Sequence, residues 1–466
     1  MAGLPQDDRV STIAADGGRV WLFPRWLRGK WLTRRTAVHA MFILILLVGP
    51  WVDVAGHPAM RVDIPARRIY FWGLTLFATD GWYLLLLLGT LGFGIFLITA
   101  LFGRAWCGWA CPQTVFLESV IRPIERLIDG PPSKQRKLDQ APWTAQKLAR
   151  RLAKWAAFAV VAGAVGTTFV AYFLGRQGVW EAQTDPMAHP AGTAIFLGIS
   201  AVMLFDYVWF REQTCIVACP YGRFQSVMMD PDSLTVGYDE GRGEPRGRLK
   251  VIGNGDCIDC TACVQVCPTG IDIRRGAQME CVQCMSCIDA CDAMMSKVGR
   301  EPGLIRLSSL NGLEGGVARL LRPRVVVYAV GLAAVATLLL TSLAAHQNVS
   351  FNLGRQPSAP YVALPDGGIQ NSLRLRVSNR GAAPLELDIW LLSPAGGELV
   401  TPTAHLVVPA EDVLHAPIFL LAAPGVDTSV PWVIRLTSPD GLIQDLTIEF
   451  LSGSRGQARK ADGGPT

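Results

Sequence analysis

Five stretches of the chain are continuously apolar over about the 20 residues that a helix needs to cross a bilayer. They cover residues 36–54, 82–103, 155–175, 191–210 and 325–345. The last of them, VVVYAVGLAAVATLLLTSLAA, contains no charged residue. Apolar runs of this length are seldom buried core helices, so the pattern predicts a membrane α-helical bundle of about five transmembrane helices in a lipid bilayer.

Lys and Arg residues are distributed unevenly among the segments that connect these stretches. Seven lie in residues 1–35, nine in 104–151 and fourteen in 211–324, against three in 55–81 and one in 176–190. Cytoplasmic loops carry the excess of positive charge. We therefore expect a cytoplasmic N-terminal segment, a four-helix region over 36–210 with a cytoplasmic loop at 104–151, and a cytoplasmic domain at 211–324. The fifth helix, 325–345, then places the remaining residues outside.

Alternating apolar and polar positions replace the long apolar runs after the fifth stretch. SLRLRVSNRG alternates up to an Asn-Arg-Gly turn, and WVIRLTSPDGLIQDLTIEF reads as two strands around Pro-Asp-Gly. The pattern predicts a C-terminal immunoglobulin-like β-sandwich at 346–455, without a cysteine and hence without a disulfide. The polar tail, residues 456–466, is predicted to be disordered.

A basic segment between the second and third stretches is amphipathic. Ile121, Ile124, Leu127 and Ile128 recur at helical spacing within residues 120–151. This pattern favours an interfacial helix lying on the inner leaflet.

Composition narrows the kind of protein further. Half of the 466 residues are hydrophobic and 17% are charged, and the formal net charge of +5 gives no reason to expect a nucleic-acid partner. All twelve cysteines lie between Cys107 and Cys291, in C-x-x-C or C-x-x-x-C groups. Such tight spacing favours metal ligation in a reducing compartment over a disulfide framework.

Eight of the cysteines form two runs of the pattern C-x2-C-x2-C-x3-C. The first run is Cys257, Cys260, Cys263 and Cys267, and the second is Cys281, Cys284, Cys287 and Cys291. In two-cluster ferredoxins, each [4Fe–4S] cluster takes three thiolates from one run and the fourth from the other. We therefore predict one cluster on Cys257, Cys260, Cys263 and Cys291, and a second on Cys281, Cys284, Cys287 and Cys267. Tandem runs of this kind fit tetrahedral zinc poorly. They predict a two-cluster ferredoxin-like α+β module at about 248–300, inserted between the fourth and fifth helices.

The other four cysteines form a repeat. Cys107 and Cys111 follow the second apolar stretch, Cys215 and Cys219 follow the fourth, and each pair has the pattern C-x-x-x-C-P. Cysteines at i and i+4 share one helix face, so each pair is expected to present two sulfurs together. Two facing pairs would form a four-sulfur site suited to Cu(I), iron–sulfur or zinc, or a redox-active dithiol. The residues alone leave these alternatives open.

Three further features of the sequence are compatible with either a functional or a structural role. Asp206 lies near the end of the fourth stretch and is either functional or reaches toward lipid headgroups. His39 is interpreted as a partly exposed interfacial histidine, with metal ligation or quinone contact as the alternative. A basic patch precedes the first cysteine run and is expected to be solvated, or to dock on anionic lipid or an acidic redox partner; its members are Arg242, Arg246, Arg248 and Lys250.

With these residues identified, the chain resembles the cytochrome c oxidase accessory proteins of the CcoG, FixG or RdxA type, a family of membrane polyferredoxins. The resemblance runs from about residue 36 to the end. The stretches that carry it are GRAWCGWACPQTVF, LDQAPWTAQKL, REQTCIVACPYGRFQS, YDEGRGEPRG, GDCIDCTACVQVCPTGIDIR and ECVQCMSCIDACD.

The resemblance implies a multi-pass protein of the bacterial inner membrane, with the ferredoxin module cytoplasmic and the C-terminal domain periplasmic. It also implies a role in maturing a high-affinity haem–copper oxidase, in which the protein acts as a cupric reductase that supplies Cu(I). Oxidase subunits or copper chaperones and an electron donor would be its partners. One alternative is a quinol-linked electron conduit to a periplasmic acceptor, and another is a redox-sensing assembly scaffold.

Overall fold

The computed structural model describes most of the chain. The described residues are 12, 19–54, 56–77, 81–248, 253–317, 319–345, 349–357, 359, 361–381, 383–439 and 441–452. The tail predicted to be disordered lies outside these ranges. The chain divides into two compact units, Met1–Leu340 and Thr341–Thr466.

Five helices in the described ranges are long and apolar enough to cross a membrane, as predicted. They are Lys30–Val48, Gly81–Phe102, Ala145–Thr184, Pro190–Phe205 and Pro323–Ala344. A 3-10 turn, Gly49–Trp51, extends the first, and a π-helical turn, Asp206–Phe210, extends the fourth. The first and third helices begin before the predicted stretches, because apolarity marks only the lipid-facing part of a helix whose backbone continues through polar positions.

The third spanning helix has 40 residues and is interrupted once, at Gly175. The φ of Gly175 is 70°, in the region that favours glycine. A Cβ atom built there would also lie 2.8 Å from Nη1 of Arg61. The glycine is therefore needed both for the backbone turn and for the space that the arginine fills.

Short helices connect the second and third spanning helices. They are Ala105–Trp109, Pro112–Phe116, the π-turn Leu117–Ile121, Arg122–Asp129 and Pro132–Gln140. In the segment predicted to be an interfacial helix, the buried face differs from the apolar face that the sequence pattern indicates. Ile121 is fully buried as expected, but Leu127 is 86% exposed, whereas Arg122, Glu125 and Asp129 are buried. The charged face turns inward because its members pair with oppositely charged residues of other elements: Glu125 with Arg211, Asp129 with Lys154, and Arg122 with Glu212.

Two small antiparallel sheets lie between the first and second spanning helices. One pairs Asp53–Val54 with His57–Pro58, and the other has the strand order Met60–Asp63, Arg68–Phe71, Leu74–Phe77.

The predicted ferredoxin-like module follows the fourth spanning helix. Its two-stranded antiparallel sheet pairs Thr235–Tyr238 with Ile305–Ser308. Its helical elements are Glu240–Gly243, Ala262–Gln265, the 3-10 turn Ile273–Arg275 and Ser286–Lys297, with Thr214–Ala218 (π) and Pro220–Met228 before it and Leu310–Leu313 after it. The core comprises Val236, Ile271, Ile288, Met295 and Leu304, all nearly or fully buried, with the cysteines packed around it.

The second unit contains a β-sandwich. One sheet has the strand order Gly397–Val400, Val413–Ala422, Ile369–Asn379, Val349–Arg355, with Val362–Ala363 also paired to Ile369–Asn379. The other has the order His405–Val408, Leu385–Ser393, Pro431–Thr437, Ile443–Glu449. The hairpin predicted around Pro-Asp-Gly is confirmed, since Thr437 pairs with Ile443.

Apolar side chains from both sheets form the sandwich core in place of a disulfide. Leu375, Leu387, Ile418 and Trp432 are fully buried, and the Trp432 ring stacks on Phe450 at a centroid distance of 4.5 Å. Burying four such side chains stabilises the fold by roughly 1.5–3 kcal/mol each.

Candidate metal centres

The two cysteine runs fold into loops of the same conformation. In each run, the residues just before and just after the second cysteine have positive φ values: 53° at Asp259 and 55° at Thr261, then 51° at Gln283 and 61° at Met285. Such values are uncommon for residues with a Cβ atom. Thr261 and Met285 also directly precede the helices Ala262–Gln265 and Ser286–Lys297. The repeated turns bring the first three cysteines of each run to one cavity.

The first cavity has an empty volume of about 370 Å³. Four cysteines border it, namely Cys257, Cys260, Cys263 and Cys291. Most of the remaining lining is apolar, with Met294, Met295, Leu304 and Ile305 among its members. Cys260 is the exposed member of the four, so this cavity approaches the protein surface.

The second cavity has an empty volume of about 350 Å³. Its lining includes Cys267, Cys281, Cys284 and Cys287, and Cys263 borders both cavities. Each cavity is thus bordered by three cysteines of one run and the last cysteine of the other. The assignment of individual ligands stays a prediction.

The lining of both cavities fits an iron–sulfur cluster. Apolar neighbours remove water from the thiols, and this burial raises the pKa of Cys263 to about 11 and the pKa values of Cys281 and Cys291 to about 12. Metal ligation requires the thiolate, so a cluster bound at these cysteines would displace their protons. Across the described part of the chain, no three His, Cys, Asp or Glu side chains form a site for a single metal ion. A cubane cluster accommodates wider spacing, because its four thiolates bind four different irons.

The four remaining cysteines, here called the four-thiol set, form pairs that differ from the predicted continuous helix. Cys107 lies in the helix Ala105–Trp109, but Cys111 is extended and caps the next helix, which begins at Pro112. Cys219 likewise precedes a new helix that begins at Pro220. The helix breaks because a residue before proline avoids the α conformation. Cys107 still lies near Cys111 and Cys219, and Cys215 lies near the other three, so the structure brings both pairs together.

Polar side chains surround this set. Cys107 Sγ donates to Oε1 of Gln225 at 3.0 Å, and Nε2 of Gln225 donates to the Tyr221 hydroxyl at 2.8 Å. Arg104 is buried and lies near both Cys107 and Cys281. Burial nevertheless dominates, and it raises the pKa of Cys107 to about 11 and that of Cys215 to about 12. The set thus brings four thiols together in a desolvated region, with the Arg104 cation beside them.

Asp206 joins the two thiol pairs. Its carboxylate accepts a hydrogen bond from Nε2 of Gln113 at 2.7 Å and another from Oγ1 of Thr214 at 2.6 Å. Gln113 follows the first pair and Thr214 precedes the second. Asp206 is only 7% exposed, so the alternative in which it reaches toward lipid headgroups is wrong.

His39 is fully buried, so the interpretation as a partly exposed histidine is also wrong. Its Nδ1 lies 2.7 Å from Oγ of Ser119 and its Nε2 lies 3.2 Å from the carbonyl oxygen of Gly108. The burial comes from short helices far along the chain that pack against the first spanning helix. The ring therefore supports the backbone of the first thiol pair.

A buried charge cluster supports the same region. Arg211 donates two hydrogen bonds to Glu125, at 2.8 and 2.7 Å, and Nζ of Lys154 lies 2.6 Å from Asp129. Arg122 bonds the carbonyl oxygen of Pro268 at 3.0 Å, which ties the cluster to the first cysteine run. The nearby Arg211, Lys154 and Arg122 cations overcome burial and lower the pKa of Glu125.

The predicted basic patch is partly neutralised within the module. Arg242 bonds Asp256 at 2.5 Å and Arg246 lies 3.5 Å from Glu244. Lys250 lies outside the described residues.

Comparisons with known families and proteins agree with this architecture. Residues 210–310 match a 4Fe-4S dicluster domain, residues 84–131 match a 4Fe-4S binding domain, and residues 339–453 match an IG-like fold at the C-terminal of FixG. Protein RdxA of Cereibacter sphaeroides is 37% identical over 78% of this chain and 80% of its own length. Protein RdxB of the same organism is 33% identical over 90% and 92%, and the nitrogen fixation protein FixG of Rhizobium meliloti is 34% identical over 77% and 76%.

The five apolar helices found in the described ranges, two iron–sulfur family matches and an immunoglobulin-like C-terminal domain define a multi-pass membrane iron–sulfur electron-transfer protein. The predicted fold class is confirmed. The chain belongs to the FixG/RdxA family.

Proposed function

We propose that this protein reduces Cu(II) to Cu(I) for insertion into a high-affinity haem–copper cytochrome c oxidase of a bacterial inner membrane. The observation that carries the proposal is the buried contact of Cys107 with Cys284, because it joins the four-thiol set to a predicted electron carrier. Soft thiolates favour Cu(I), so this set would stabilise the product of the reduction.

In this proposal, Cys257, Cys260, Cys263 and Cys291 hold one [4Fe–4S] cluster. Cys267, Cys281, Cys284 and Cys287 hold the other. When bound, such a cluster stores and releases one electron at a time. The apolar residues that line the two cavities exclude water, and Cys107, Cys111, Cys215 and Cys219 bind the copper substrate. Each turnover adds one electron to one Cu(II) ion, and an external one-electron donor, cytoplasmic or quinol-linked, replaces that electron.

The proposed topology places residues 1–35, 104–151 and 211–324 in the cytoplasm and 346–455 in the periplasm. The Lys and Arg distribution supports it. Oxidase subunits or copper chaperones would then meet the C-terminal domain or the membrane region. A reporter fused after Leu310 should be active only in the cytoplasm, and one fused after Gly453 only in the periplasm. The opposite pattern would contradict the topology.

Metal content tests the cluster assignment. Protein purified without oxygen should contain about eight irons per chain and, once reduced, show interacting [4Fe–4S] signals by low-temperature electron paramagnetic resonance (EPR). Zinc in place of iron would overturn the assignment.

A single-turnover assay tests copper reduction. Dithionite-reduced protein, freed of excess reductant, is mixed with Cu(II), and Cu(I) is measured with a colorimetric chelator. Two clusters should yield about two Cu(I) per chain. Cys107→Ser should abolish most of this yield while iron content stays unchanged. The matched control is Ala218→Ser, which adds a hydroxyl at an exposed position beside Cys219. An unchanged yield in Cys107→Ser would refute the proposal.

A further inference from the structure

Gly108 occupies a position where a larger residue must push its neighbours apart. A Cβ atom built on it would lie 2.3 Å from the carbonyl oxygen of Val282 and 3.0 Å from the backbone nitrogen of Cys284. Both neighbours are main-chain atoms of the second cysteine run, so they cannot rotate away as a side chain would. The backbone of the second cysteine run therefore lies directly against Gly108, within the first thiol pair.

Residues on either side of Gly108 hold this approach in place. Cys107 packs with Val282 and Cys284 in one buried apolar cluster. On the other side, Nε1 of Trp109 donates to the carbonyl oxygen of Gln283 at 3.2 Å. The contact thus extends over three consecutive residues of each segment and is not a single chance touch.

Contacts from the first spanning helix hold the same two segments from behind. The ring of His39 lies 3.2 Å from the Gly108 carbonyl oxygen, and Nη1 of Arg35 donates to the Cys284 carbonyl oxygen at 3.3 Å. One helix therefore positions both partners of the contact.

The second thiol pair differs at the equivalent positions. Ile216 and Val217 stand where the first pair has Gly108 and Trp109. Val217 is 47% exposed. Only the first thiol pair therefore has a glycine that allows its backbone to approach the module closely.

The first cavity, by contrast, reaches the protein surface at the exposed Cys260.

We infer that Gly108 is a positioning residue that joins the four-thiol set to the second cavity, so that electrons leave the module beside Cys284 and enter it near Cys260. The inference rests on the proposed function. One electron passes across the Gly108 contact to one Cu(II) ion, which becomes Cu(I), and dithionite serves as the one-electron donor in the tests. No covalent bond forms or breaks in the protein.

Redox potentials test the contact without relying on turnover. The midpoint potentials of both clusters are measured by EPR-monitored titration of the full-length protein, with and without one equivalent of Cu(I). Binding of Cu(I) through two or more thiolates releases as many protons, so the site loses positive charge on balance and one potential only should fall. Cys284→Ser and Cys260→Ser, which alter the signals of the second and first clusters respectively, identify the responding cluster. We expect the response in the signal that Cys284→Ser alters.

Gly108→Ala should weaken the response to Cu(I) while leaving the iron content unchanged. It should also slow single-turnover Cu(II) reduction by roughly tenfold to a hundredfold, because small displacements of reacting groups are costly. The matched control is Gly163→Ala, since a Cβ atom at Gly163 meets nothing within 4 Å. The inference is overturned if both clusters respond equally, if the cluster with Cys260 responds, or if Gly108→Ala behaves like the wild type.

A variant whose effect does not depend on copper separates failure of the proposed copper chemistry from failure of the inference about the Gly108 contact. If Cu(I) changes neither potential in the wild type, the proposed copper chemistry fails, and Arg104→Gln then decides the inference. Removing this buried cation, which lies near Cys107 and Cys281, should lower the potential of the second cluster only. A change in both potentials, or in neither, would count against the contact.

Discussion

The two C-x-x-x-C-P motifs share a spacing and a position after a spanning helix, yet different forces hold them. Around the first motif, Gly108 and Trp109 lie directly against the backbone of the second cysteine run. Around the second motif, Ile216 is half-buried and Val217 is exposed. The first motif is thus anchored by close neutral packing against the ferredoxin module.

Charge separates the two motifs as well. The residue three positions before the first cysteine is Arg104 in one motif and Glu212 in the other. Glu212 belongs to the buried charge cluster, at 3.3 Å from Arg19 and 3.7 Å from Arg122. A repeat can therefore keep its cysteine spacing while each copy adapts to a different neighbour: the ferredoxin-like module for the first motif and the buried charge cluster for the second.

The largest expected loss of stability comes from breaking the buried ion pair beside the second motif. Arg211→Met leaves the buried Glu125 without its bidentate partner, and breaking such a pair costs about 3–5 kcal/mol. Thermal unfolding in detergent should show a large loss of stability. Arg176→Met is the control, because Arg176 pairs with Asp53 at an exposed site and should cost no more than about 1 kcal/mol. Similar losses in both variants would mean that the buried Arg211–Glu125 pair gives the second motif no special support.

The same ion pair predicts a pH dependence. The pKa of Glu125 is lowered in the folded protein, so its ionisation stabilises the fold above the unfolded-state pKa of about 4.3, and this contribution is lost as pH falls through the folded-state pKa. Glu125→Gln should therefore be much less stable than the wild type at pH 7, and the difference in stability should narrow only below about pH 4.3, as the pH falls through the folded-state pKa of Glu125. Melting curves extended below pH 4 provide the measurement, and a difference that stays constant there would argue against a charged Glu125.

A smaller loss of stability is expected at Asp206, which accepts hydrogen bonds from residues beside both motifs. Asp206→Asn replaces one carboxylate oxygen with a donor that faces Gln113 or Thr214, which themselves donate to this group. The mismatch should cost about 1–3 kcal/mol. It should also speed alkylation of Cys215, as read by mass spectrometry. Asp185→Asn, at an exposed turn, should change neither quantity. Equal alkylation in both variants would mean that Asp206 does not position the second pair.

The smallest effect compares equivalent positions of the two motifs. Trp109→Phe removes one hydrogen bond to Gln283 and should cost about 1 kcal/mol. Val217→Ala alters a half-exposed side chain and should stay within about 0.5 kcal/mol. Thermal unfolding of both variants sharpens the comparison, and a larger loss in Val217→Ala would reverse it.

Structural elements that depend on residues close together in the chain were predictable from the sequence. The spanning helices follow from continuous apolarity, and the hairpin at 431–449 follows from alternation around a turn. The cysteine runs follow from their spacing. The break before Pro112 and Pro220 was also readable, because a residue before proline avoids the helix, but the i, i+4 expectation ignored it.

Features that depend on distant segments were not predictable. His39 is buried by Gly108 and Ser119, which lie 69 and 80 residues away. The inward charged face of Arg122–Asp129 depends on Lys154 and Arg211, which belong to other elements. Gly108 had one readable signal, namely the difference from Ile216 within the repeat, but only the structure identifies the backbone that it touches.

The length of the third spanning helix has a mechanical consequence. Up to the turn at Gly175, residues 145–174 extend over about 45 Å at 1.5 Å per residue, about one and a half times the hydrocarbon thickness of a bilayer. One protruding end carries Lys147 and Lys154, which bind the short helices 132–140 and 122–129. The part of the helix before Gly175 thus holds these short helices beyond its own apolar stretch. Inserting a single residue between the apolar stretch and these lysines would rotate them by about 100° around the helix axis.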